Sequence, residues 1–225
     1  MPFRVKIISP LEATEADLAR RQRRYSAHAQ PGTAVTVANL AGGPAALETA
    51  GDVLESAAVI FRQGAGTTPA ECDAILIDCV FDPAVQELEE ATGIPTFGPT
   101  RATLPLVALA APSFSIVARG APQGELLAAI VERYGYGSRL RSMRTLGLSY
   151  EEAKRPDVFE KLMCERLRQV VGEDGARAVM FGSTTMALTD EMIAAAGGVP
   201  VFMPGMVALR VMEHLWRDGL WPARR

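Results

Sequence analysis

Cysteine is scarce, and long runs of one kind of residue are missing altogether. Three cysteines in 225 residues, an odd number without framework spacing, rule out a disulfide-stapled scaffold. Cys72 and Cys79 are separated by most of one strand, too far for a C-x-x-C redox pair or a zinc knuckle. That usage suits a reducing cytoplasm. No basic run interrupts a net charge of −3, so neither nucleic acid nor an anionic membrane surface is indicated as a partner. No apolar run reaches the ~18–20 residues of a membrane span. The opening Met1-Pro2-Phe3-Arg4-Val5 enters a strand at once and does not resemble a signal peptide.

What remains is an ordinary globular composition, 48% hydrophobic and 22% charged, long enough for one large domain or two small ones. The cluster Arg20, Arg21, Arg23 and Arg24 falls on a helix-like segment beside Glu15 and Asp17 and reads as a solvated face.

Strand and helix patterns alternate from the start, which predicts parallel sheets. Strands are expected over 4–9, 33–40, a stretch ending at Cys79, and 93–97, with helices over 14–28, 52–64 and 83–92. The pattern then recurs. Strands are expected over 113–118, 142–148, 176–181 and 198–202, and helices over 122–134, 157–171 and 189–196. A last helix, 206–217, is expected to pack back on the first half, with His214 and Trp216 as packing or surface residues. Gly93-Ile94-Pro95-Thr96-Phe97 is mirrored by Gly198-Val199-Pro200-Val201-Phe202; Pro95 and Pro200 are 105 apart, Cys79 and Ser183 104 apart. Two related α/β lobes account for this most simply. The expected fold is two pseudo-symmetric flavodoxin-like lobes, each a mostly parallel four-stranded sheet flanked by helices. The lobes are placed at 1–105 plus 206–225 and at 106–205, with the active site in the interlobe cleft.

Ala74 to Asp78 supplies a buried, β-capable run that halts at Cys79, and Asp82-Pro83 has the look of a helix start in which the carboxylate caps and proline takes the first turn. Cys79 would thus lie at the carboxyl edge of a strand and just before a helix N-terminus, where open sheets bind ligands and where a thiolate or bound anion is favoured. The plainer alternative is a buried cysteine acting as a small hydrophobe. At the equivalent place in the second half, Gly182-Ser183-Thr184-Thr185 offers small polar side chains and accessible N–H groups suited to an anion; a helix-capping turn explains the same residues.

Several stretches carry a resemblance to the aspartate/glutamate/hydantoin racemase superfamily, most closely its hydantoin and allantoin racemase branch. Asp73 to Pro83 resembles that branch's strand-Cys-Phe-Gly-Asp-Pro motif, Gly43-Pro44 with Leu47-Glu48-Thr49 its Gly-Pro…Ile-Glu-Ser stretch, and Gly182-Ser183-Thr184-Thr185-Met186-Ala187 its Gly-Cys-Ala-Gly-Met-Ala. The early strand near Ser9-Pro10, the stretch Pro31 to Val37, and Val199 to Ala208 extend the likeness over nearly the full length. The resemblance implies a cofactor-independent enzyme, a homo-oligomer, a ligand held between two lobes, and one acid/base cysteine on each side of the substrate's α-carbon. It implies a small amino-acid, carboxylate or hydantoin-like substrate. Cys79 matches the first cysteine, whereas Ser183 stands where the second belongs. Arg119 occupies a place where the family more often has a small hydroxyl residue; it would pair with a substrate carboxylate or, on the simpler expectation, point to solvent. Ser9, Val80, Phe81, Thr184 and Thr185 complete the candidate binding residues.

One thiol and one hydroxyl make an asymmetric pair, suited to one direction or to chemistry needing a single proton donor. Serine is a weak base unless activated, and His28 and His214 both fall in helices. Three functions stay open: a racemase or isomerase using Cys79 as acid/base; a one-cysteine arylmalonate decarboxylase or maleate isomerase type; and a ligand-binding homologue that has lost catalysis.

Overall fold

The computed structural model describes residues 2–185 and 187–220. Met1, the Met186 of the Gly182–Ala187 match and the last five residues assigned to the first lobe lie outside the described residues. Those described form eight strands and eight α-helices. In the first half these are β1 (Phe3–Ile8), α1 (Glu15–His28), β2 (Thr33–Ala38), α2 (Ala50–Gly64), β3 (Ala74–Ile77), α3 (Val85–Thr92), β4 (Thr96–Phe97) and α4 (Pro99–Ala110). The second half has β5 (Phe114–Ala118), α5 (Ala121–Arg133), β6 (Leu140–Thr145), α6 (Pro156–Gly172), β7 (Val179–Phe181), α7 (Asp190–Ala195), β8 (Val201–Phe202) and α8 (Pro204–Arg217). The strands make two four-stranded parallel sheets in the same order, β2-β1-β3-β4 and β6-β5-β7-β8. The expected α/β class, with a doubled flavodoxin-like sheet, is what the chain adopts.

Two compact units divide the chain. One comprises Met1–Leu47, Gly51–Ala102 and Gly205–Arg225; the other comprises Glu48–Ala50 and Thr103–Pro204. In the first unit all four residues of β3 are fully buried, as a strand covered on both faces must be. Helix α1 opens on Thr14, whose hydroxyl accepts from the Asp17 N–H at 3.2 Å, with Glu15 and Asp17 at its positive end. Helix α8 joins this unit: Trp216 stacks on Phe3 with ring centroids 4.8 Å apart, and buried Glu213 accepts from the Gln30 N–H at 2.7 Å. In the second unit, Phe159, Met163, Leu167 and Val170 repeat at helical spacing along α6 and pack with Val117, Val179 and Phe181 of the sheet.

Register decides which side chains emerge together. Ile8 pairs with Ile77, so β1 and β3 end level, and Ser9 and Asp78 leave the sheet side by side. Val117 pairs with Phe181, so Arg119 and Gly182-Ser183 emerge from one edge of the second sheet. Gly182 is needed there, because a Cβ would stand 2.8 Å from the Ala118 Cα.

Several expected boundaries differ, and those around Cys79 matter most. Strand β3 stops at Ile77, two residues before Cys79. Helix α3 begins at Val85, not Pro83, because Asp82 and Ala84 both take left-handed backbone angles (φ 50° and 56°) that a helix does not tolerate. Helix α4 was not foreseen. Gly98-Pro99 reads as the end of an element, but Pro99 is the first residue of a new helix.

Candidate active site

In the first unit the site is built around the turn after β3. Asp78 continues the ladder by donating its N–H to the Ile8 carbonyl at 2.9 Å, and the chain then curls so that the Cys79 N–H reaches the Ile77 carbonyl at 2.7 Å. The Phe81 N–H is directed at the Cys79 sulfur. Asp82 does not cap α3. Its carboxylate instead accepts the first amides of α4, Thr100 N at 3.1 Å and Arg101 N at 2.7 Å, while the Thr100 hydroxyl donates to the Val80 carbonyl at 2.6 Å. Gly98 makes this approach possible, since a side chain there would collide with the Asp82 carboxylate. Cys79, Val80 and Phe81 are therefore clamped between a sheet edge and the N-terminus of α4, and all three are buried.

This burial corrects the expectation of a thiolate. Removal from water pushes the Cys79 thiol far above the ordinary thiol range. The Phe81 amide opposes the shift, Asp82 and Asp78 add to it, and Arg21 opposes it. The resting group is a neutral thiol. Helix α3 does not supply the dipole expected to favour the thiolate, because it starts only at Val85, and Asp82 already takes two of the first amides of α4.

Directly beneath Cys79 lies a cluster that sequence reasoning missed. Asp78 is 1% exposed. The Tyr25 hydroxyl donates to its Oδ1 at 2.6 Å, Arg21 Nη1 bonds its Oδ2, and Arg24 Nη2 stands 3.6 Å from the same oxygen. Arg21 is 1% and Tyr25 0% exposed. Burial, reinforced by the Asp78 charge, holds the Tyr25 phenol well above its usual range, so it remains a donor. Hence the arginine cluster on α1 is no solvated face: Arg23 is exposed, but Arg21 anchors the end of β3. The signal was present. Arg21, Arg24 and Tyr25 share one helical face, and Asp78 ends a strand with no exposed position.

Ser9 is fully buried and its hydroxyl donates to the Leu11 carbonyl at 2.9 Å. His28 Nδ1 is bonded to Arg24 O, and His214 pairs with Asp218 at 3.3 Å.

In the second unit, Ser183 is partly exposed; its Oγ lies 3.0 Å from Thr185 Oγ1 and accepts from the Thr185 N–H at 3.2 Å. Thr184 is buried. These residues do not cap the next helix; Thr189 does, accepting from the Met192 N–H. Arg119 does not point to solvent, as the simpler expectation had it. It is 5% exposed, donates from Nη1 to the Leu148 carbonyl at 3.2 Å and sets Nη2 2.9 Å from Glu48 Oε1.

Among the described residues no group of three or more His, Cys, Asp or Glu side chains is placed to hold a metal ion, and no helix is long and apolar enough to cross a membrane. The family model for "Asp/Glu/Hydantoin racemase" matches residues 5–212. The chain belongs to that family. It is 29% identical over 192 residues to the hydantoin racemase of Paenarthrobacter aurescens, covering 82% of this chain and 79% of that one. To the hydantoin racemase of Pseudomonas sp. (strain NS671) it is 25% identical over 207 residues, 92% of this chain and 82% of the relative. Its fold is that of the allantoin racemase from Klebsiella pneumoniae: TM-score 0.86 at 23% identity, covering 96% of this chain and 89% of that one. As a member of the Asp/Glu/hydantoin racemase family this chain is a racemase-like enzyme, and the family acts on small molecules.

Proposed function

We propose that this enzyme is a cofactor-independent racemase or isomerase acting at the α-carbon of a small amino-acid-derived, carboxylate or hydantoin-like substrate, with the Cys79 thiol as acid/base. One observation carries the reading: Cys79 stands just past the carboxyl end of a central strand, with a backbone N–H aimed at its sulfur, in a racemase-family chain. The proton on C5 of a hydantoin is acidified by the adjacent carbonyl, and its removal leaves a planar carbanion. A neutral thiol delivers a proton to that carbanion; removal requires the thiolate, toward which the Phe81 amide and Arg21 bias the sulfur. Ser183 is the proposed second group, and Ser9, Val80, Phe81, Thr184, Thr185 and Arg119 are proposed to shape or contact the substrate.

The relatives' printed activity makes 5-substituted hydantoins the first substrates to try. Incubation in deuterated water, followed by proton NMR and optical rotation, measures exchange and inversion together. Cys79→Ala is expected to lower both by at least about 10²–10⁴-fold, the usual contribution of a positioned acid/base. Cys72→Ala and Cys164→Ala should leave them within a few-fold. Turnover at the normal rate in the Cys79 variant eliminates the mechanism.

Having one thiol and one hydroxyl favours a second reading, a decarboxylase or cis-trans isomerase that needs only one proton donor. In that case the same assay, run with arylmalonates and maleate, gives carbon dioxide release or fumarate without exchange in the starting hydantoin.

A further inference from the structure

Arg119 and Asp78 lie at corresponding sheet edges, and each is a buried member of an ion pair, but the two pairs are built differently. Asp78 and Arg21 are sealed, with side-chain exposures of 0% and 1%, and a tyrosine hydroxyl completes the carboxylate's coordination. That is how a structural pair is satisfied. Arg119 is as deeply buried, at 6% of its side chain, yet its carboxylate partner Glu48 is 43% exposed. Glu48 belongs to the short segment Glu48–Ala50, which joins the second unit while Leu47 and Gly51 on either side belong to the first. Arg119 Nη2 sits 2.9 Å from Glu48 Oε1 but makes no directed hydrogen bond among the described residues. The guanidinium fork, which pairs best with a carboxylate through two parallel N–H bonds, is thus held by charge and used poorly. Nearby, the Tyr150 ring lies 5.8 Å from the Arg119 guanidinium carbon, and its hydroxyl is out of solvent and has no hydrogen-bond partner among the described residues. Arg119 itself is the first residue past β5, next to the Gly182-Ser183 turn, which packs on Ala118.

We propose that Arg119 is the recognition residue for a carboxylate on the substrate, and that Glu48 is the chain's own competitor for it, displaced when the substrate carboxylate enters. The substrate class is then an anion, such as a hydantoin bearing an acidic side chain, and not a neutral alkyl or aryl hydantoin. The Glu48 carboxylate is already partly hydrated, whereas a buried guanidinium must always keep an anionic partner. Exchange of one carboxylate for another conserves charge at Arg119 throughout. The substrate's identity as a hydantoin rests on the isomerase reading above; carboxylate recognition does not.

The test compares hydantoin-5-acetate with hydantoin-5-acetamide, which differ in charge and hardly in shape, in the full chain at pH 7. The wild type is expected to show at least a tenfold lower KM for C5 exchange of the acetate. Arg119→Ser should abolish that preference. Glu48→Gln, which removes the competing charge and keeps the side chain's size, should tighten the acetate several-fold relative to the acetamide. Malonate provides a readout independent of catalysis: it should raise the melting temperature of the wild type, raise that of Glu48→Gln further, and leave that of Arg119→Ser unmoved. Equal handling of acetate and acetamide by the wild type, or weaker acetate binding in Glu48→Gln, overturns the inference while leaving the isomerase reading intact. Malonate stabilisation that depends on Arg119, with no exchange of either hydantoin, upholds carboxylate recognition and removes the hydantoin chemistry. If neither malonate nor hydantoin-5-acetate binds, carboxylate recognition by Arg119 is wrong. Should Arg119→Ser fail to fold, the Glu48→Gln comparison alone decides.

Discussion

A thiol that is to move protons must be able to change charge, and Cys79 sits where that change is resisted. Burial and the two flanking aspartates favour the neutral form; a single amide and a buried arginine favour the anion. Two consequences follow at this residue. In the folded chain the thiolate fraction stays small through the pH range where a free thiol, with a pKa of about 8.5, ionises. Alkylation of Cys79 by iodoacetamide at pH 8 should therefore run at least about 100-fold slower than that of glutathione, and the rate of C5-proton removal should still be rising at pH 9. A plateau below pH 8 would mean that substrate-independent groups already lower the thiol. Stability has the opposite slope. Above about pH 8.5 the unfolded chain gives up this proton while the folded chain keeps it, so folding weakens as pH rises. The urea midpoint is expected to fall between pH 8 and pH 10 by more in the wild type than in Cys79→Ala.

The position of Cys79 depends on two elements that hold its turn from either side. On one side, α1 sends Arg21 and Tyr25 to Asp78; on the other, the N-terminus of α4 receives Asp82. Asp78→Ala would leave the Arg21 guanidinium buried without its carboxylate, a loss of roughly 3–5 kcal/mol for a broken buried pair. Tyr25→Phe removes one hydrogen bond and should cost roughly 1–2 kcal/mol. Replacing both charges, Arg21→Met with Asp78→Leu, is expected to recover much of the single-variant loss. Urea unfolding measures all three, and a double variant less stable than Asp78→Ala would show that the pair does more than neutralise itself. These elements also mark how far the sequence could be read. Fully apolar β3, the Thr14 cap and the α6 stripe follow from local pattern, because period and capping are local properties. The Asp82 clamp joins residues 18 and 19 apart, and the Arg21–Asp78 pair joins residues 57 apart. Helical spacing puts Arg21, Arg24 and Tyr25 on one face but does not name Asp78 as their partner, and nothing near Asp82 marks Thr100 and Arg101, so local pattern alone leaves Asp82 on the adjacent helix and Arg21 in solvent. Arg119 was placed correctly at a strand end, yet its burial depends on Glu48, 71 positions earlier in the sequence and drawn in from a segment flanked by the other unit.

At the scale of the whole chain the governing fact is duplication. One strand order occurs twice, and the residue after each third strand's edge differs in kind: a buried thiol at 79, a partly exposed hydroxyl at 183. Racemisation requires a proton to be taken from one face of a carbon and another supplied to the opposite face. The two enantiomers have equal free energy, so kcat/KM must be the same in both directions however unequal the two groups are. The inequality shows elsewhere. If Cys79 removes and returns protons more readily than Ser183 supplies them, solvent deuterium enters the substrate with retention more often than with inversion. Ser183→Cys places a second thiol at the equivalent edge, where Gly182 and Thr185 already set the turn. Under the racemase reading this variant should raise inversion relative to exchange by about tenfold or more, a gain within the usual reach of one added acid/base group. Chiral chromatography of substrate recovered from deuterated water gives both numbers at once. An unchanged ratio, with exchange still dependent on Cys79, would mean that residue 183 does not serve the second face, and would favour the one-donor chemistries over racemisation.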